Sequence, residues 1–254
     1  MSRNFELLYQ SGKMQELLQS QPPGELIQTD AQQQVDTTPS TPAIEMGEEA
    51  RTEISRLVHS LFRSPDAKGP RRIAFAGNEP GCGCTWMCAH VAEVLASQVD
   101  ASVCVMDCNL RSPTLHQQFG VENHHGLSEL LQQSDPVREY VHQLSRRNLW
   151  LLSCGSADNR QIQLGSPRMR ARIAELSATF DYLLIDASSL KESNDAIVLG
   201  GLTDGVVLVL KANTSRREVA RRALFDLQAA NVNSLGAVLN QRKFPIPNAI
   251  YNRL

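Results

Sequence analysis

The sequence predicts a doubly wound α/β domain, a mostly parallel sheet with helices on both faces. Two observations lead there. Short, almost wholly apolar runs recur: "RIAFAG" (72–77), "SVCVMD" (102–107), "NLWLLS" (148–153), "YLLID" (182–186), "GVVLVLK" (205–211) and "SLGAVLN" (234–240). Strands apolar on both sides are buried on both faces, the pattern of a parallel sheet. Helical segments at 85–98, 166–179, 192–202 and 215–230 separate those runs, and such alternation covers each face of the sheet.

The first regular element expected is a helix over 47–63, with Ile54, Leu57, Val58 and Leu61 on one face. The helix at 166 opens Ser-Pro, a cap followed by proline at the first helical position. The helix at 215 opens "SRRE", with the Ser-to-Glu spacing of a capping box. Residues 1–45 read as a flexible N-terminal segment in which Phe5, Leu7, Leu8, Met14, Leu17 and Leu18 make a short amphipathic helix. The Gln-, Pro- and Thr-rich stretch behind it has too few large apolar residues to offset the entropy of ordering. The folded domain is placed at 46–243 and a C-terminal tail at 244–254.

The chain has 254 residues, 42% of them hydrophobic and 20% charged, with a net charge of -2. That balance argues against nucleic acid or an anionic membrane as the dominant partner. No apolar run of about 18 residues is present, and the opening lacks the apolar core of a signal peptide, so a cytoplasmic location is expected. Six cysteines, three of them crowded into one turn and helix start (Cys82, Cys84, Cys88), suit reduced thiols better than a disulfide framework.

In a doubly wound sheet, ligands bind beyond the carboxyl ends of the strands. The first apolar run enters "GNEPGCGCT" (77–85), where we align Gly77, Gly83, position 84 and Thr85 with the phosphate loop G-x-x-x-x-G-K-[ST]. Glycines let backbone N–H groups curl around phosphates, the helix N-terminus adds partial positive charge, and the hydroxyl suits magnesium. The lysine is replaced by Cys84. Two further strand tips are acidic: Asp107 in "VCVMDCNLRSP" and Asp186 in "YLLIDASS". Buried carboxylates there suit a magnesium ion beside a nucleotide.

With those motifs in place, the chain resembles the cytoplasmic domain of bacterial tyrosine autokinases of the CpsD/CapB type, in the MinD/ParA branch of phosphate-loop proteins. The likeness runs over most of 46–243. Family loops read like "S-x-x-P-G-E-G-K-S-T", against "GNEPGCGCTW" here; the second motif reads like "DxDLRRP", against "DCNLRSP" (107–113). "LHQQFG", "GLSELL", "SPRMRARIAELSATFDYLLID" and the stretch 195–224 also follow the family pattern.

The resemblance implies ATP or ADP with magnesium, and a role in synthesis and export of capsular or extracellular polysaccharide. It implies nucleotide contacts from Gly77, Pro80, Gly81, Cys82, Gly83, Cys84, Thr85, Trp86, Arg111 and Asn240, the last toward the adenine. Magnesium would fall to Thr85, Asp107 and Asp186, and catalysis to Asp107 and the position of Asn109. Glu48 and Arg51 match the start of the ring-assembly motif E-x-x-R-x-x-R, whose last position is Ile54. The family's C-terminal tyrosine cluster is reduced to Tyr251 as phosphoacceptor. Expected partners are a membrane-embedded polysaccharide co-polymerase, a homologous kinase or further copies of the chain, with recruitment to the inner face of the plasma membrane.

The departures fall at functional positions. Cys84 cannot supply the lysine's charge, and Asn109 cannot take a proton from a tyrosine hydroxyl. The sequence therefore predicts a pseudokinase-like regulator or scaffold with weak or absent ATP binding. Two alternatives stand beside it. One is an active autokinase or ATPase with an atypical loop, the charge coming from Arg111 or a neighbouring subunit. The other is a redox or metal site, in which Cys84 is an activated thiolate at a helix N-terminus and Cys82, Cys88, Cys108 and Cys154 share its crevice.

Overall fold

The structure, a computed structural model, describes residues 4–8, 46–62, 69–144, 146, 148–156 and 162–242. Tyr251, the tail at 244–254 and the stretch carrying Met14, Leu17 and Leu18 lie outside the described residues.

Eight strands form one sheet: β1 (Asn4–Leu8), β2 (Arg72–Gly77), β3 (Val103–Cys108), β4 (His142–Gln143), β5 (Leu149–Leu152), β6 (Tyr182–Ala187), β7 (Gly205–Lys211) and β8 (Ser234–Arg242). Their order across the sheet is β1-β8-β7-β2-β6-β3-β5-β4. The six inner strands are parallel, and β1 and β4 close the two edges antiparallel to β8 and β5. The chain runs outward from β2 through β3 to β5, returns to insert β6 between β2 and β3, then crosses to β7 and β8. The carboxyl ends of β2, β6 and β3 therefore lie side by side.

Among the described residues, seven α-helices fill the connections: α1 (Glu48–Phe62), α2 (Cys84–Gln98), α3 (Leu115–Gln118), α4 (Leu127–Leu130), α5 (Pro167–Thr179), α6 (Asp195–Gly200) and α7 (Arg217–Ala229). Alternation along β2 shows how both faces are used. Ile73 and Phe75 join the core beneath α1 and α2, whereas Ala74 and Ala76 join the core beneath α5 and α6. Helix α2 is buried almost all round, from Trp86 through Ala96, because α1 covers its outer side with Ile54, Leu57, Val58 and Leu61. A helix so enclosed is a rigid platform for the loop that precedes it.

The expected doubly wound sheet is present, as is the cap at 166: Ser166 Oγ accepts from Met169 N–H at 3.2 Å, with Pro167 next. Two expectations fail. Residues 4–8 form a strand and not the start of an amphipathic helix, because the open edge of β8 offers backbone partners that a short isolated helix lacks. The capping box at 215–218 does not form either. Helix α7 begins at Arg217, and the Ser215 hydroxyl turns instead to Glu79 Oε1, at 2.9 Å, and to Asn78.

Candidate functional site

The loop between β2 and α2 occupies the switch point just described. Gly81 and Gly83 take left-handed backbone, φ 74° and 82°, which glycine adopts without strain. Gly83 also has no room for a side chain: a Cβ there would meet the Asn240 amide. The N-cap residue of α2 is Gly83, which has no side chain to cap the first turn, and an uncapped helix start suits an anion.

The alignment of Gly77 with the first motif glycine needs correction. Gly77 ends β2, and five residues separate it from Gly83, so the motif's first position falls on Asn78. Asn78 is buried, accepts the Ser215 hydroxyl, and its Nδ2 has no hydrogen-bond partner among the described residues. Sequence reasoning missed this residue because a polar residue after a strand reads as an ordinary turn. Gly77 is small for a different reason: a Cβ would press on Cys82 Sγ and Glu79 O.

Beyond the loop stand the two aspartates, paired across β3 and β6 in register and both fully buried. Asp186 Oδ2 accepts the Thr85 hydroxyl at 2.6 Å, while its Oδ1 is buried without a partner among the described residues. Asp107 accepts backbone N–H groups of Asn109 and Leu115, each at 3.0 Å, which orients both of its oxygens. Burial pushes Asp107 up to about 7, against the pull of those N–H groups. Asp186 is pushed up to about 8 by burial first and by the charge of Asp107 second, with Thr85 and Cys84 pulling it down. The orphan Oδ1, the adjacent carboxylate and a hydroxyl make an oxygen set that fits a magnesium ion.

Cys84 lies at the loop end where a charge would be needed. Burial raises its thiol far above the ordinary range, and the neighbouring Asp186 raises it further. Cys82 is pushed up to about 11, and Cys88 and Cys108 well above their usual value, again by burial first. Desolvation and Asp186 thus weigh against the alternative in which Cys84 is an activated thiolate at the helix N-terminus. All six cysteines are free, and no cluster of three or more metal-ligating residues occurs among the described residues.

The remaining expected contacts divide. Pro80 is exposed on the loop, and Arg111 is exposed on the turn closed by Ser112 N–H to Asn109 O at 3.2 Å. Asn109 Oδ1 accepts the Ser188 hydroxyl at 3.2 Å. Trp86 is 7% exposed and stacks on His90 with ring centroids 4.1 Å apart, so it packs in the core. Asn240, expected near an adenine, is buried, and its Nδ2 donates to Cys82 O at 2.9 Å. Glu48 and Arg51 are exposed at the start of α1, whereas Ile54 is wholly buried against α2.

Comparison with known proteins agrees with this geometry. No family model matches the chain. It is 30% identical over 165 residues to the tyrosine-protein kinase YwqD of Bacillus subtilis, covering 65% of this chain and 69% of that protein. The tyrosine-protein kinase Etk of Escherichia coli is 27% identical over 169 residues, covering 66% of this chain and only 23% of that longer relative. Among solved structures, the chimerical protein CapA2B2 has a TM-score of 0.71 at 20% identity, over 78% of this chain and 87% of that one. The Escherichia coli Etk kinase domain follows at 0.68 and 23%, over 78% and 79%. More distant, with TM-scores of 0.57 and 0.54, are the MinC:MinD complex of Aquifex aeolicus and an ATP complex of McdA from Cyanothece, both alike in fold. Taken with the loop, the paired aspartates and the sheet order, the match to YwqD settles the kinship: the chain belongs to the family of bacterial tyrosine-protein kinases.

Proposed function

We propose that this member of the family is a pseudokinase-like regulator or scaffold of capsule or exopolysaccharide biosynthesis that binds ATP weakly or not at all. The observation that carries the reading is that Cys84, beside Asp186, stands at the loop position where the family has the lysine that meets the phosphates. A charge-assisted contact of that kind is worth about 2–3 kcal/mol, or roughly 30- to 150-fold in Kd. Phosphoryl transfer loses more, since it depends almost wholly on positioning and electrostatics. Asn109 adds to the loss, because a carboxamide is not a base at neutral pH.

Thr85, Asp107 and Asp186 would hold magnesium, which supplies charge neutralisation at the β- and γ-phosphates. The loop N–H groups and the uncapped start of α2 would cradle the phosphates. This intact half of the site favours a second reading, an autokinase or ATPase that works with an atypical loop and phosphorylates Tyr251. On the first reading the chain acts by contact, on a membrane-embedded co-polymerase or a homologous kinase, and its place at the membrane comes from that partner. No described helix is long and apolar enough to cross a membrane. Exposed Glu48 and Arg51 remain available to a neighbouring copy, while Ile54 withholds the third charge of the assembly motif.

Titration of purified protein with ATP and ADP, with and without magnesium, together with a phosphotyrosine assay, separates the readings. Saturable magnesium-dependent ATP binding with phosphotyrosine that disappears in Asp107→Ala supports the kinase and sinks the scaffold.

A further inference from the structure

The glycine loop is gripped from behind by two consecutive residues of β8. Asn240 Nδ2 donates to Cys82 O at 2.9 Å and lies 3.4 Å from Gly83 O, while Gln241 Nε2 donates to Gly81 O at 3.2 Å. Adjacent residues of a regular strand point to opposite faces, so both amides should not reach one loop. A local irregularity of β8 resolves this. Between the pairs Asn4↔Arg242 and Glu6↔Leu239, β8 carries one residue more than β1, and the extra residue falls at Asn240–Gln241. Gln241 also takes left-handed backbone, φ 60°, uncommon for a residue with a side chain. Its N–H turns back to Asn240 Oδ1 at 2.8 Å. This is a β-bulge, which re-aims side chains where a strand pair is locally out of step.

The bulge is bracketed on both sides by β1, the N-terminal strand. We propose that the outer edge of β8 is a strand-addition site, filled by residues 4–8 of this chain, and that its occupancy sets the rigidity of the glycine loop through Asn240 and Gln241. With the strand in place, the ladder fixes the bulge and both amides hold the loop carbonyls, which turns the loop N–H groups toward the crevice. With the strand released, β8 regains regular alternation beyond Leu239, and Asn240 and Gln241 cannot both reach the loop. The N-terminus thereby acts as a removable brace on the site. The coupling concerns the loop itself and holds whether or not nucleotide binds there.

Hydrogen exchange of the Met87 amide, which donates to the loop carbonyl Gly83 O at 3.0 Å, tests this, comparing the full chain with a variant lacking residues 1–8. The expected result is exchange faster by at least about 10-fold at Met87 in the truncated chain, with β2 and β3 amides unchanged. A synthetic peptide of residues 2–9, "SRNFELLY", restores the slow exchange. In Asn240→Ala, or in the milder Gln241→Ala, exchange at Met87 is already fast and truncation adds little. Equal exchange at Met87 in full and truncated chains overturns the proposal, as does faster exchange throughout the sheet or no rescue by the peptide. If protection falls on dilution together with dissociation of a dimer, the strand comes from a second copy and the assigned occupant is wrong.

Discussion

The two buried aspartates make the stability of this protein depend on pH in a direction opposite to that of most carboxylates. In the folded state Asp107 is pushed up to about 7 and Asp186 up to about 8, whereas an unfolded aspartate titrates near its ordinary 3.8. The folded chain therefore holds more protons between those limits. The contribution of this pair is fully present below about pH 4 and declines as pH rises through 7 and 8, at up to about 1.4 kcal/mol per proton per pH unit. A site raised by three to four units contributes on the order of 4–6 kcal/mol over the whole window. The pair counts nearer once than twice, since Asp107's charge is itself a cause of the Asp186 shift. Urea midpoints measured in EDTA at pH 5 and pH 8 should fall in the wild type, and fall much less in Asp186→Asn, which keeps the shape and removes the charge. Magnesium at pH 8 should recover part of the loss in the wild type only. A midpoint that rises from pH 5 to pH 8, or an equal fall in both proteins, would refute the reasoning.

Gly83→Ala should destabilise by several kcal/mol and loosen the loop, since its Cβ meets the Asn240 amide on top of the left-handed backbone. Gly81→Ala, with open space around it, should cost only about 1–2 kcal/mol in the same urea titration. Restoring the third charge of the assembly motif by Ile54→Arg should fail to promote assembly and instead unfold the chain or cost about 3–5 kcal/mol, because Ile54 is wholly buried; circular dichroism with sedimentation distinguishes the outcomes. The loop thiols should alkylate at pH 7.5 no faster than free cysteine, because Cys82 and Cys84 are both pushed up. Rapid single-site labelling of Cys84 by iodoacetamide would revive the activated-thiolate alternative.

Periodicity and end signals carried most of the fold. Short β-branched apolar runs such as "GVVLVLK" read as strands buried on both faces, and Ser166-Pro167 marks a helix start by local chemistry alone. What escaped depends on partners far away in sequence. Residues 4–8 are a strand because β8 lies beside them, and no local pattern announces that edge. Ser215 has the right spacing for a cap, yet Asn78 and Glu79, more than a hundred residues away, claim its hydroxyl. Within the site, Thr85, Asp107 and Asp186 were legible as strand-tip and loop residues. The hydrogen bonds of Asn78 and Asn240 were not, because each joins the loop to the ends of β7 and β8. For the cysteines, the helix-start position of Cys84 argues for a lowered thiol, whereas burial and Asp186, visible only in three dimensions, push it the other way.

The central claim is that the loop keeps its shape and has lost its phosphate-binding charge. Calorimetric titration of magnesium-ATP into the wild type and into the double variant Cys84→Lys, Asn109→Asp tests it most directly. Binding to the wild type should be weak or undetectable, with a gain of roughly 30- to 150-fold or more in the variant, the worth of one charge-assisted phosphate contact. Tight ATP binding by the wild type, with no gain on restoring the lysine, would contradict it.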